Sequence, residues 1–256
     1  TLAENHKTCS QVRFAQQKSF RSCSGFLIAE DKVVTAGHCV VNQDMCEQMQ
    51  ILFDHVLDQE GKSRTHFHET EVYRCQKILG RMEDDRSADY AVIQLDRAVL
   101  DRSPLELSDN KDLLKEDKIF MIGHPSGLPK KITSEARIRE VFHQKNIFRT
   151  NLDAFGGNSG SPVFNAQTFQ VEGILVRGER DFAFEKNEDC RSPYVVGEDE
   201  GRGEDVTFIS RIRENGDEPL PPYPLYVLGQ DNETCYEYLA GVQIGEVNAS
   251  LCFFGP

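Results

Sequence analysis

The sequence predicts an all-β fold, a sandwich or barrel of many short strands. Two observations carry that expectation. Short apolar runs rich in Val, Ile and Phe recur along the chain, separated by polar or glycine-containing turns. Few segments keep a 3.6-residue apolar period for three turns, so amphipathic helices are scarce. In chain order the strand candidates include SGFLIA (24–29), KVVTA (32–36), YAVIQL (90–95), KIFMIG (118–123), ARIREVF (136–142) and VEGILVRG (171–178). Between the third and fourth lies SDNKDLLKEDK (108–118), charged and near the middle, which reads as a helix or linker joining two β domains. After residue 215 the texture changes. NGDEPLPPYP (215–224) holds four prolines, a stiff extended connector. Strand-like runs follow it, closed by Cys235 and Cys252.

At 256 residues the chain has room for one large or two small domains. Lys and Arg number 29 against 42 Asp and Glu, a net charge of −13, which repels phosphate backbones and argues against nucleic acid as a partner. No apolar run approaches the roughly 20 residues of a membrane helix, so no membrane partner is expected. The chain begins at Thr1 with no apolar leader, as a processed or trimmed form does. Eight widely spaced cysteines include no CxxC pair, which favours disulfides and an oxidising location, secreted or periplasmic.

Three short contexts carry chemistry. TNLDAFGGNSGSPVFN (150–165) sets three glycines within five residues around Ser159. That is either a surface turn or a nucleophile loop whose backbone N–H groups must turn inward. In VVTAGHCV (33–40), His38 follows a strand, enters a glycine turn and precedes Cys39. In SADYAVIQL (87–95), Asp89 stands directly before an apolar strand, as a strand-start cap or as the carboxylate that orients an imidazole.

TAGHC, DYAVIQL and GNSGSP occur in the order His, Asp, Ser. Together they resemble the chymotrypsin-fold, trypsin-like serine peptidases over roughly residues 20–210. GNSGSPV, with Asn before Ser, is similar to bacterial members, including the glutamyl endopeptidases. The resemblance implies two six-stranded antiparallel barrels: residues 1–108 carrying His38 and Asp89, and residues 109–214 carrying Ser159. Residues 215–256 would be the connector and a small β-rich tail. It further implies a serine endopeptidase acting on protein or peptide substrates without cofactor or metal, open to control by an inhibitor or propeptide. Ser159 would be nucleophile, His38 base and Asp89 its orienting carboxylate, with the N–H groups of Gly157 and Ser159 as oxyanion hole. Gly156 permits the approach to that turn, and Gly160 keeps the side opposite Ser159 clear. A catalytically silent binding protein on the same double barrel is the rival from another class.

The resemblance also implies that Cys23 and Cys39 are bonded. A tail pair, Cys235–Cys252, is expected as well. Among Cys9, Cys46, Cys75 and Cys190 three pairings remain, with Cys46–Cys75 favoured. Two departures stand out. Asn158 cannot form the ion pair that the family's aspartate makes with a new N-terminal amine. Val176 replaces the serine that supports the family's catalytic aspartate, so another group must satisfy Asp89. Asp153, six residues before Ser159, matches the acidic base of a trypsin-like pocket, with Val176, Arg177 and Gly178 as its wall. Cleavage after Arg or Lys is then expected. Glu204 and Asp205 approach the same pocket, and Arg177 could neutralise Asp153. The glutamyl enzymes carry a His where Leu175 aligns here. Signals set aside are a metal at His66, His68 and Glu69, and a calcium loop of Asp54, Asp58, Glu60 and Glu71. His124 is read as structural, and NET (232–234) and NAS (248–250) as glycosylation sequons.

Overall fold

The computed structural model describes residues 1–20, 23–110, 112–186 and 188–214. The tail expected over 215–256, with its strands, sequons and Cys235–Cys252 pair, lies outside the described residues. Among the described residues thirteen strands dominate, and the helices α1 (Leu2–His6), α2 (Gln43–Gln48) and α3 (Ser210–Glu214) are short. The first five strands, β1 (Phe26–Ala29), β2 (Lys32–Thr35), β3 (Gln50–Leu52), β4 (Val72–Glu83) and β5 (Asp89–Leu95), form an antiparallel sheet in the order β1-β2-β5-β4-β3. The strands β6 (Lys118–Gly123), β7 (Lys131–Phe142), β8 (Ile147–Thr150), β9 (Pro162–Asn165) and β10 (Val171–Arg177) follow. Then come the small hairpin of β11 (Phe182–Phe184) with β12 (Arg191–Pro193), and finally β13 (Glu204–Phe208). The order β10-β13-β8-β7-β6-β9 closes a six-stranded barrel. The fold is thus the expected all-β, chymotrypsin-like pair, its second barrel closed with six strands and its first unit, among the described residues, a five-stranded half-barrel sheet rather than a six-stranded barrel.

Why KIFMIG and VEGILVRG read as unbroken apolar runs is now plain. Successive side chains of a strand point to opposite faces. On β6, Ile119 and Met121 enter the barrel core while Phe120 and Ile122 enter the core shared with the first sheet. On β10, Leu175 faces the barrel core and Ile174 and Val176 the shared one. Both faces are buried, so alternation disappears. The shared core, from Phe26 and Tyr90 on one side to Phe164 and Ile209 on the other, holds the two units together.

Two expectations sharpen. Of the helix and linker readings of 108–118, the described residues show the linker: Ser108 Oγ accepts from Asn110 N–H (3.0 Å), Asn110 Oδ1 from Asp112 N–H (2.9 Å), and Asp117 Oδ2 from Leu114 N–H (2.8 Å). Short polar side chains have captured the backbone donors a helix needs. Residues 1–20 are tied to the second barrel as well as to the first, where Phe20 packs on His55 with ring centroids 5.0 Å apart. Cys9 is bonded to Cys190, Cys9 N–H donates to the Arg191 carbonyl (3.0 Å), and Phe20 N–H donates to that of Gly127 (2.9 Å). Cys23–Cys39 and Cys46–Cys75 are also disulfides.

Candidate active site

The first sheet delivers a histidine and an aspartate to one point. His38 sits in the single 3-10 turn Gly37–Cys39 that leaves β2, and Asp89 opens β5. Asp89 is 2% exposed. Its Oδ2 lies 2.7 Å from His38 Nδ1, and its Oδ1 accepts the His38 backbone N–H at 3.1 Å. This bidentate grip sets both the ring and its backbone, and leaves Nε2 outward. Gly37 makes the approach possible, since a Cβ there would press on Asp89 Oδ1 and the Tyr90 carbonyl, each 2.9 Å away. Arg81 pins the turn from β4, its Nε donating to the carbonyls of Gly37 (3.0 Å) and Val40 (2.7 Å).

The second barrel delivers the serine loop. Gly157 has φ 96° and Gly160 φ 92°, left-handed values that side chains rarely adopt. The loop is tied to β10 by Gly160 N–H to the Leu175 carbonyl (2.7 Å) and Leu175 N–H to that of Ser161 (3.0 Å). The backbone N–H groups of Gly157 and Ser159 meet no acceptor among the described residues, and neither Ser159 Oγ nor His38 Nε2 has a partner there.

Ser24, ahead of β1, joins the halves. Its N–H donates to the Ser159 carbonyl (2.8 Å), its hydroxyl donates to the Gly157 carbonyl (2.8 Å) and accepts from His124 N–H (3.0 Å). Its own carbonyl accepts from Thr35 Oγ1 (2.7 Å). Thr207 on β13 is the second link, its hydroxyl accepting from Asp89 N–H and donating to Asp89 C=O, both 3.0 Å. The Cys23–Cys39 disulfide lies alongside, with Cys39 Sγ 3.9 Å from the Ser159 carbonyl. Ser24, Arg81 and Thr207 escaped the sequence reading, since a lone Ser, Arg or Thr in a β protein carries no local signal.

The expected pocket residues fare differently. Asp153 is exposed and only its carbonyl is engaged, by Thr133 Oγ1 (2.9 Å). The carboxylate therefore faces solvent rather than a low-dielectric pocket. Val176 points into the shared core. Arg177 does not fold toward Asp153 and is spent on the first sheet. Nη1 donates to the carbonyls of Asp85 (3.0 Å) and Ser87 (3.2 Å), Nη2 to those of Asp84 (2.7 Å) and Ser87 (3.2 Å). Its Nη2 also stands 3.7 Å from Asp89 Oδ2, in the place of the missing supporting group. Gly178 faces Glu204: a side chain at 178 would overlap that carboxylate. Glu204 is buried and accepts Glu179 N–H (3.0 Å), and burial pushes it up from 4.5 to about 7. Asp181, raised likewise by burial, accepts Gly156 N–H (2.9 Å) at the head of the serine loop. Asp205 is taken by Arg149 (2.8 Å) and Arg202 (2.6 Å).

The signals set aside also have places. His124 is buried with Nδ1 2.9 Å from the Leu128 carbonyl, and burial lowers it to about 3, so the ring is neutral. His66 and His68 are exposed, and His68 Nδ1 bonds Thr70 Oγ1 (2.8 Å). Asp54 pairs with Arg102 (2.8 Å) and Glu71 with Arg64 (2.7 Å). Two clusters among the described residues bring metal-type donors together, Cys23–His38–Cys39 and Cys9–Glu188–Cys190, but their sulfurs are spent in disulfides.

No curated protein matches this sequence. Solved structures similar to it include an inactive form of Rv3671c from M. tuberculosis H37Rv, 17% identical over 77% of this chain and 81% of that one, TM-score 0.45. Deg5 is 16% identical over 77% and 83%, TM-score 0.46. Kallikrein-related peptidase 10 is 17% identical over 75% and 86%, TM-score 0.47. Residues 23–174, more than half of the chain, match the trypsin-like peptidase domain. The span takes in the GHC turn, the strand opened by Asp89 and the serine loop, and the chain belongs to the trypsin-like peptidase family.

Proposed function

We propose that the chain is a serine endopeptidase working through Ser159, His38 and Asp89. The supporting observation is the bidentate Asp89 grip on His38, joined through Ser24 to a loop that leaves two N–H groups and a serine hydroxyl free. Ser159 Oγ attacks the scissile carbonyl as neutral His38 Nε2 takes its proton. The imidazolium is stabilised by buried Asp89 and then returns the proton to the leaving amine. The developing oxyanion is received by the N–H groups of Gly157 and Ser159, worth roughly 3 kcal/mol each at the barrier. Water repeats the sequence on the acyl-enzyme. The three disulfides favour a secreted or periplasmic setting, and among the described residues no helix is long and apolar enough to cross a membrane.

For the residue before the scissile bond we favour Arg or Lys, with Glu204 in place of Asp153 as the acid. Glu204 opens β13 and is the buried carboxyl facing Gly178. A guanidinium or ammonium arriving there restores the charge that burial suppresses. A peptide-library digest with fluorophosphonate labelling tests the whole. Label on Ser159 and cleavage after basic residues are expected. Absent labelling and turnover leave the silent binding protein standing, and cleavage after Glu or Phe removes the basic preference alone.

A further inference from the structure

Asp89 is gripped by His38 on one side, and on the other stands Arg177, an intermediate-exposed side chain from the second barrel. Four hydrogen bonds to the carbonyls of residues 84, 85 and 87 fix its guanidinium behind the carboxylate. We propose that Arg177 is a positioning residue for the His38–Asp89 pair, locking the 84–87 loop and setting a cation behind Asp89 that keeps its carboxylate turned toward His38. The proposal rests on the peptidase reading above.

Three features carry it. An ionised carboxylate taken out of water costs several kcal/mol unless charge and hydrogen bonds compensate. Asp89 has two bonds from His38, and its nearest full positive charge is Arg177 at 3.7 Å, too long for a good hydrogen bond but close for a charge. The planar fork of an arginine can also serve several carbonyls at once, which the point charge of a lysine cannot. Finally, Arg177 ends β10, the strand that anchors the serine loop through Leu175. One strand thereby fixes Ser159 on one side and the base's partner on the other.

The other charged groups around the pair leave Arg177 in this role. On β4, Arg81 is directed to the carbonyls of Gly37 and Val40 and paired with Glu83. In the loop, exposed Asp84 is held below the usual carboxylate range by hydrogen bonds from Arg86 N–H and Ser87, and by Arg177. On β13, Thr207 is uncharged and Asp205 is taken by Arg149 and Arg202. Removing the cation leaves the negative charge of Asp89 less balanced and favours a proton on His38. The acid limb of the pH–rate profile then moves to higher pH.

The test measures kcat, KM and the pH dependence of kcat/KM for wild type, Arg177→Met and Arg177→Lys, with active enzyme counted by fluorophosphonate titration. Arg177→Met is expected to lose about tenfold or more in kcat with KM within about twofold, and to shift the acid limb upward by about half a pH unit. Arg177→Lys keeps the charge, so its limb stays in place while kcat falls severalfold; it alone decides if the Met variant does not fold. A Met variant with the wild-type limb, or a Lys variant with wild-type kcat, overturns the positioning role. A wild type that takes no label at Ser159 overturns the peptidase reading and this proposal with it.

Discussion

The two halves of the site are held by opposite means. On the His38 side, side chains do the fixing: Asp89 is buried and gripped twice, Arg81 pins two carbonyls, and Arg177 closes the back. On the Ser159 side, backbone does most of it, helped by the Ser24 hydroxyl on the Gly157 carbonyl and the Asp181 carboxylate on Gly156 N–H. Gly157 and Gly160 take left-handed values and β10 carbonyls and N–H groups anchor the loop. The difference fits the chemistry proposed for each half. A base needs a fixed charge beside it, and charge comes from side chains. An oxyanion needs preorganised N–H donors, which the main chain provides only where the turn is extreme. Substitutions should therefore fail differently on the two sides, through electrostatics on one and geometry on the other.

The largest effect is expected where both halves meet. Ser159→Ala should abolish fluorophosphonate labelling and lower kcat by about 10³-fold or more, while circular dichroism stays unchanged. Residual turnover above the uncatalysed rate is expected from the N–H donors alone. Peptidase activity near wild type in this variant contradicts the assignment of the nucleophile.

Next comes the backbone side by itself. Gly157→Ala places a Cβ 2.7 Å from the His124 carbonyl at φ 96°. The turn must shift, and at least one N–H donor swings off the oxyanion. A loss of about 10²-fold in kcat with little change in KM is expected, since the donor acts on the transition state. A pH profile identical to wild type would sharpen the contrast with Arg177→Met. A shifted acid limb in Gly157→Ala would erase it.

How much of this was legible depends on where each interaction lives in the chain. Ser159, His38 and Asp89 stand in local contexts, a glycine loop, a GHC turn and a strand start, so short motifs find them. Apolar runs found β1, β2, β5, β6 and β10 because both their faces are buried or nearly so. β4 escaped notice since VYRCQKILGRME mixes exposed charges with partly buried residues. Long-range partners left little trace: Arg177 read as pocket wall, and Ser24 and Thr207 stood unmarked. Ser24 acts on a loop 133 residues away, Thr207 on a strand 118 away, and Arg177 on carbonyls 90 to 93 away. Asp153 shows the converse hazard. Its spacing from Ser159 fitted, yet spacing cannot report that a side chain faces solvent.

Glu204 opens β13 of the second barrel, and its titration should show in stability. Its value rises from 4.5 in the open chain to about 7 when folded. Between those values the folded form keeps a proton that the unfolded form has lost. Stability is therefore full below about 4.5, falls as pH climbs through this window, and is flat again above about 7. The difference is of order 3 kcal/mol at most. Glu204→Gln should remove this slope, so the variant gains on wild type at pH 8 and matches it at pH 4 in urea titrations. Equal stability of the two proteins at both pH values would place Glu204 in water.

The smallest effect is expected at Asp153, and it separates the two candidate acids. Its carboxylate is exposed and forms no ion pair among the described residues, so a charge there is screened by water. Glu204 is buried against Gly178, where the same charge acts through a poorer dielectric. Asp153→Asn should accordingly leave the ratio of kcat/KM for Arg and Ala peptides within about twofold, whereas Glu204→Gln should cut it about tenfold or more. Raising the salt adds a second discriminator: an exposed carboxylate loses its influence as the screening length shortens, and a buried one keeps most of it. If Asp153→Asn collapses the preference for Arg and Glu204→Gln leaves it intact, the loop must close over Asp153 when substrate binds. The acid at the pocket would then be the one that spacing first suggested.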